Sequence, residues 1–245
     1  MGRVDGRVAI VTGAARGMGA AHARALVREG AKVLLTDVLE DEGREVAEEL
    51  GEHARFAAHD VTSEASWEGA IAAAEHAFGD VGILVNNAGV AVGGPIEETP
   101  EAVFRRMIDV NAVGVFLGMK GVIGSMRRAG GGSIINISSV GGLIGEPNTI
   151  GYTASKFAVT GMTKVAAKEL AADGIRVNSV HPGFTDTPML QLAGPEEVLR
   201  EFAAATPLGR FGRPEEVSAV VMFLACDESA FVNGSGYVVD GGLMR

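Results

Sequence analysis

An α/β fold built on one doubly wound parallel sheet is predicted by three observations. Short apolar, β-branched runs alternate along the chain with longer amphipathic stretches, the pattern of successive strand–helix–strand units. The first run opens into a glycine-rich turn followed by a helix, an arrangement suited to holding a phosphate at a helix N-terminus. Polar side chains recur where the runs end, and those strand ends frame the ligand crevice of an open parallel sheet.

The elements justify this in order. Arg7–Thr12 (RVAIVT) reads as a buried first strand. The turn Gly13-Ala14-Ala15-Arg16-Gly17-Met18-Gly19 follows, then an alanine-rich helix to about Glu29. Its spacing is G-x-x-x-G-x-G rather than G-x-G-x-x-G; an unliganded turn would also account for a glycine loop alone. Lys32–Asp37 is the second strand, and Asp37 lies eighteen residues after Gly19, near the spacing of a carboxylate that binds a ribose 2′-hydroxyl. Such a carboxylate repels a 2′-phosphate, so Asp37 favours NAD over NADP. Arg16 pulls the other way, unless it pairs with Asp37.

Asp41–Leu50 is helical, Ala54–Asp60 is the third strand, and Glu64–Phe78 is a helix. Val81–Val85 forms the fourth strand and runs into Asn86-Asn87-Ala88-Gly89. Pro100–Arg128 reads as one long helix containing Asn111, Gly114 and Gly118; the small residues fit close packing against another helix, including one from a second subunit. Gly132–Ser139, Ile175–Val180 and Gly236–Val239 complete about seven parallel strands, with a helix over Gly151–Ala172 and another over Pro214–Cys226. Phe184–Arg210 is irregular and then amphipathic, which fits either a lid over an apolar substrate or a surface helix. No linker or repeat divides the 245 residues, so one domain, Rossmann-like in layout, is expected.

Composition narrows the function. A formal net charge of -10 argues against nucleic acid and against an anionic membrane surface. The five histidines show no metal-ligand spacing, and no G-x-S-x-G element marks a hydrolase. Cys226 is the only cysteine, so no intrachain disulfide forms. With the first strand starting by about residue 7, no signal peptide is expected. No apolar run is read as membrane-spanning, and the expected compartment is a reducing cytoplasm.

The stretch Asn136–Gly161 carries the chemistry. Tyr152 and Lys156 are four residues apart, hence on one face of a helix. Ser139 ends the strand before them. A phenol, an ammonium and a hydroxyl converging there suit proton exchange with a carbonyl oxygen. A solvated Tyr/Lys face is the ordinary alternative. His181 reads as structural, beside Pro182.

Taken together, Thr12-Gly13-x-x-x-Gly17-x-Gly19, Asp60-Val61, Asn86-Asn87-Ala88-Gly89, Asn111, Ser139, Tyr152-x-x-x-Lys156, Pro182-Gly183-x-x-x-Thr187 and Val239-Asp240-Gly241-Gly242 resemble the classical short-chain dehydrogenase/reductase family over nearly the whole chain. Asp37–Gly43, Gly132–Ser139 and Arg176–Gly183 with Thr187-Pro188-Met189 are similar to bacterial 3α(or 20β)-hydroxysteroid dehydrogenases. The resemblance implies a catalytic tetrad of Asn111, Ser139, Tyr152 and Lys156. It implies that Asp60 and Val61 hold an adenine, that Asn87, Ala88 and Gly89 lie along the cofactor, and that Pro182, Gly183, Thr185 and Thr187 sit at the nicotinamide. It also implies a homotetramer.

On that basis an NAD(H)-dependent oxidoreductase of a small hydrophobic alcohol or ketone is expected, a hydroxysteroid among the candidates. An ammonium ~4 Å from the phenol, at an effective dielectric of ~20, contributes roughly 4 kcal/mol toward ionising Tyr152. That matches the ~4 kcal/mol needed to lower its pKa by about 3 units. Asn111 would position a water leading to Lys156. The rival readings are an NADPH-dependent 3-oxoacyl carrier-protein reductase, a polyol or sugar dehydrogenase, and a non-catalytic dinucleotide sensor.

Overall fold

The computed structural model describes residues 2–244. Seven strands form one sheet: β1 (Val8–Thr12), β2 (Lys32–Asp37), β3 (Ala54–Ala58), β4 (Val81–Asn86), β5 (Gly132–Ile137), β6 (Ile175–Pro182) and β7 (Gly236–Val239). All pairings are parallel, in the order β3-β2-β1-β4-β5-β6-β7. The order reverses direction between β1 and β4, and that switch point opens the crevice at the strand ends.

Strand alternation divides the core into two layers. Ala9 and Val11 of β1 pack with helices α1 (Gly17–Arg28), α2 (Glu40–Leu50) and α9 (Pro214–Ala225). Val8 and Ile10 face the other layer, built on α3 (Glu64–Phe78), α5 (Gly114–Arg128) and α6 (Ile150–Glu169). Each fully buried Ile, Leu or Val contributes roughly 1.5–3 kcal/mol by leaving water.

Several boundaries differ from the sequence expectation. β3 stops at Ala58, because the ladder with β2 ends at the pair Asp37 and Ala58; Asp60 therefore lies beyond the strand. β6 runs on to Pro182, since β7 pairs with it up to Val239. The long helix starts at Glu101 and is not uniform: α4 (Glu101–Ile108) passes into a wider π turn at Asp109–Val113 before α5. Asn111 sits in that turn, a common device for aiming a side chain at a functional site.

Gly114 and Gly118 of α5 pack inside the chain. A Cβ at Gly114 would lie 2.8 Å from Val61, and one at Gly118 2.6 Å from the Trp67 ring of α3. The exposed apolar side chains Val113, Phe116, Ile150, Phe157 and Val165 lie on the π turn, α5 and α6. By length and composition the helix Glu101–Arg128 could cross a bilayer, contrary to the sequence expectation; here Val115, Met119, Val122 and Met126 bury one face in the core.

Two short helices, α7 (Pro188–Gln191) and α8 (Glu196–Ala205), lie between β6 and α9. Phe184 stacks on Phe202 of α8, with ring centroids 4.5 Å apart. Leu208 donates its N–H to the carbonyl of Gly241 near the C-terminus. The segment is thus tied down at both ends.

Candidate active site

The candidate catalytic side chains gather where β4, β5 and β6 end. Ser139 follows β5; its hydroxyl oxygen accepts a hydrogen bond from Gly141 N–H at 3.0 Å. The first turn of α6 brings Tyr152 beside it, near enough for the hydroxyl to favour the ionised phenol. Burial outweighs that effect and raises the Tyr152 pKa.

Lys156, one turn further along α6, is buried. Its Nζ donates to the Ile137 carbonyl at 2.8 Å and lies 5.7 Å from the Tyr152 ring centroid. Burial pushes its pKa down to about 8. The expected drop of the phenol pKa through Lys156 is therefore not what this arrangement produces. The ammonium is engaged by main chain, and desolvation governs both groups.

Asn111 is fixed rather than free. Its Oδ1 accepts from Val90 N–H at 2.8 Å, while Nδ2 donates to the Val90 carbonyl at 2.9 Å and to Ser155 Oγ at 3.0 Å. Ser155 in turn donates to the Tyr152 carbonyl at 2.7 Å. Both amide hydrogens are spent, so one lone pair of Oδ1 is what remains for a water. Ser155 was missed in the sequence, where its one signal is a small polar residue just before Lys156.

The glycine turn lies across the crevice from this group. A Cβ at Gly19 would come within 2.1 Å of the Gly13 carbonyl, and Gly13 and Gly17 have positive φ. α1 starts at Gly17 with no side-chain cap and no acidic residue in its first turn. Its free N–H groups and positive dipole end suit a phosphate. Met18 packs partly buried against the core below.

Asn87 braces the turn, with Nδ2 donating to the carbonyls of Thr12 and Gly13. Its Oδ1 is buried without a partner among the described residues, an acceptor waiting for a donor from a ligand. Ala88 N–H is held by Thr12 Oγ1. Gly89 permits a close approach: a Cβ there would lie 3.3 Å from Asn111 Oδ1 and 3.6 Å from Lys156 Nζ.

At the end of β2 the Asp37 carboxylate accepts from Ala15 N–H at 3.0 Å and Leu39 N–H at 3.1 Å. Arg16 is exposed and forms no ion pair among the described residues, so the expected Arg16–Asp37 pairing does not occur. Asp60 is exposed, and its Oδ1 accepts from the N–H and hydroxyl of Thr62, which lowers its pKa. Val61 faces the core and its carbonyl accepts from Trp67 Nε1, so it offers a ligand main chain rather than side chain.

Beyond β6, Gly183 packs so closely on Asp240 that a Cβ would lie 2.9 Å away. Thr185 is buried and bridges to Gly212; Thr187 caps α7 by accepting from Leu190 N–H. An orphaned acceptor, a glycine cradle and an uncapped helix end along one crevice fit a dinucleotide.

Comparison with known proteins identifies the family. The family model described as enoyl-(acyl carrier protein) reductase, one of the short-chain dehydrogenase/reductase models, matches residues 13–244. The chain is 51% identical over 98% of its length, and 90% of the relative's, to a 3-alpha-(or 20-beta)-hydroxysteroid dehydrogenase of Mycobacterium tuberculosis. It is 45% identical to a cyclopentanol dehydrogenase of Comamonas testosteroni, covering 99% and 98% of the two chains. It is 43% identical to an NADP-dependent (R)-specific alcohol dehydrogenase of Lentilactobacillus kefiri, covering 98% and 97%. The chain belongs to the short-chain dehydrogenase/reductase family, whose members are oxidoreductases that use nicotinamide dinucleotides.

Proposed function

We propose that the chain is an NAD(H)-dependent dehydrogenase interconverting a hydrophobic, cyclic secondary alcohol and its ketone. The observation that carries this is the meeting of Ser139, Tyr152, Lys156 and Asn111 at the ends of β4–β6, on the same crevice as Asp37. The hydroxysteroid and cyclopentanol dehydrogenases among its relatives support the substrate class, since a hydroxysteroid and cyclopentanol are both cyclic secondary alcohols.

The nicotinamide, when bound, supplies or accepts the hydride. Tyr152 exchanges the proton of the substrate oxygen, and Ser139 holds that oxygen against the phenol. Lys156 would supply positive charge near the phenol and would hold the cofactor's nicotinamide ribose. Asn111 locks Val90 and, through Ser155, the start of α6, so the wall of the site keeps its shape. Gly13, Gly17, Gly19 and the N-terminus of α1 hold the pyrophosphate, and Asp37 the adenosine ribose. Asp60 and Val61 flank the adenine, while Thr185 and Thr187 fix the carboxamide.

Arg16 supports a second reading, an NADPH-dependent acyl carrier-protein reductase, because its guanidinium is free to meet a 2′-phosphate. The apolar side chains exposed on α5 and α6 support a homotetramer, checked by light scattering at working concentration.

The test follows absorbance at 340 nm with NAD or NADP against hydroxysteroids, cyclic alcohols, simple secondary alcohols and polyols, with matching ketones and acetoacetyl thioesters for the reduced cofactors. Turnover of a cyclic alcohol with NAD is expected. Thioester reduction with NADPH alone would replace the proposal with the second reading.

A further inference from the structure

His181 is the next-to-last residue of β6 and is completely buried. Its Nδ1 lies 3.0 Å from the carbonyl oxygen of Ser139, and its Nε2 lies 2.8 Å from Ser179 Oγ. A carbonyl can only accept, so Nδ1 carries the ring proton and Ser179 donates its hydroxyl to Nε2. The tautomer is fixed by these two partners. β7 makes room for the ring: a Cβ at Gly236 would lie 2.8 Å from Nε2.

This contact falls at a particular place on β5. Ser138 N–H still joins the ladder, donating to the Val180 carbonyl at 2.8 Å. Ser139 is the first residue past it. Its carbonyl accepts from His181 Nδ1–H and from Gly142 N–H at 2.9 Å, so the ring is the one side chain that holds it, and the chain turns there toward Gly141. The Gly141 Cα region touches both reacting groups: a Cβ on it would lie 3.5 Å from Ser139 Oγ and 3.5 Å from Tyr152 Cε1.

We propose that His181 is a positioning residue for the reaction: its Nδ1–H anchors the Ser139 carbonyl and so sets the direction in which the Ser139 hydroxyl meets the Tyr152 phenol. The inference rests on Ser139 and Tyr152 being the reacting pair. His181 touches neither substrate nor cofactor in this role; it acts through Ser139. The charged groups facing the ring are Lys156 and Lys164, which together with burial keep it neutral. A neutral ring leaves its two hydrogen bonds unchanged through the working pH range.

The Ser139 hydroxyl favours the ionised phenol, so a loosened Ser139 must make Tyr152 less acidic. The chain holds two tyrosines, Tyr152 and Tyr237. Protein labelled with 13C at tyrosine Cζ therefore shows two signals, which Tyr237→Phe assigns, and Tyr152 is read without turnover. His181→Leu is expected to raise the Tyr152 midpoint by at least half a pH unit. It should also lower kcat for alcohol oxidation at least tenfold and leave KM for NAD within twofold. His181→Asn, whose Nδ2 stands near the place of the histidine Nδ1, should restore kcat to within threefold and the midpoint to its original value.

A structural role alone would affect Leu and Asn variants through Tm without moving the Tyr152 midpoint. Equal effects of Leu and Asn on kcat and midpoint would overturn the proposal. Ser179→Ala keeps the ring and removes only its Nε2 partner. A smaller shift in the same direction is expected, and an unmoved midpoint there overturns the proposal even where His181→Leu does not fold. Wild-type protein that turns over no alcohol but shows these midpoint shifts refutes the proposed function and leaves the positioning role standing.

Discussion

Lys156 Nζ is hydrogen-bonded to the Ile137 carbonyl at 2.8 Å, which holds the ammonium back at the end of β5. Burial depresses its pKa from 10.5 to about 8, a cost of roughly 3 kcal/mol for the charged form near neutrality. Lys156→Met removes that cost but leaves the Ile137 carbonyl unpaired, about 1–3 kcal/mol. The two nearly cancel. Turnover is expected to fall at least a hundredfold while Tm stays within a few degrees, read by steady-state assay and calorimetry. A large loss of Tm would mean that the lysine serves the fold.

Tyr152→Phe separates chemistry from binding. General acid–base catalysis is worth typically 10²–10⁴-fold. Among the described residues the phenol's polar contact is with the Ser139 side chain, and the ring that fills the site is kept. Turnover should drop about a thousandfold, with NADH affinity by fluorescence titration changed less than threefold. Activity retained within tenfold would reassign the proton donor.

What could be read in the sequence depended on where each signal resides. Most of the seven strands were legible as short β-branched runs, though β3 (Ala54–Ala58) has no β-branched residue, and the polar residues at the strand ends led to the crevice. Strand ends were less so: alternation does not reveal where pairing stops, so β3 was drawn to Asp60 rather than Ala58. The π turn at Asn111 was hidden because the apolar period of α4 and α5 continues through it. Partners on the main chain, Ile137 for Lys156 and Ser139 for His181, leave no mark in side-chain patterns. Gly114 and Gly118 announced close packing correctly, but a small residue cannot say whether its neighbour belongs to the same chain.

Asp37 is expected to decide the cofactor. Its carboxylate is anchored by Ala15 and Leu39 at the end of β2, so with the proposed pose of the cofactor it would face a 2′-phosphate. Like charges ~4 Å apart repel by roughly 4 kcal/mol at an effective dielectric of ~20, and solvent at this half-exposed site reduces that. Asp37→Ser should lower the NAD/NADP ratio of kcat/KM by about 10- to 100-fold. Adding Arg16→Ala should recover part of the ratio by removing the remaining cation. A ratio unchanged in both variants would place discrimination elsewhere.

Two buried histidines make stability fall in acid. His22 packs between α1 and α9, bound through Nδ1 to Ser218 Oγ at 2.7 Å; His59 binds Thr36 Oγ1 at 2.9 Å and meets Trp67 edge-on. Neither Nε2 has a hydrogen-bond partner among the described residues. Burial lowers their pKa values from 6.5 to about 3 and about 4. Between those values and 6.5 the unfolded chain binds protons that the folded chain does not. Their contribution is therefore complete above about pH 6.5 and is lost as the pH falls toward 4, by about 2 kcal/mol per ring at pH 5. Tm should drop by about 10 °C between pH 7.5 and pH 5. His22→Leu should shrink that drop by about half, and a flat Tm across this range would contradict the burial of both rings.

The stack of Phe184 on Phe202 should set the size of the substrate. Phe184 follows the Pro182-Gly183 turn, beside Thr185, and Phe202 belongs to α8 of the segment proposed to close over the substrate. Nearly parallel rings, 4° apart, contribute about 0.5–1.5 kcal/mol beyond their buried area. The far end of the segment is held separately by Leu208 on Gly241, so loss of the stack loosens α8 without detaching it. Phe202→Ala should raise KM for a steroid-sized alcohol about 3- to 10-fold, since a bulky apolar ring draws most on the closed segment. KM for cyclopentanol should change less than twofold, because so small a ring leaves α8 largely untouched. Equal changes for both alcohols would mean that the pair supports the fold of the segment and does not touch the substrate.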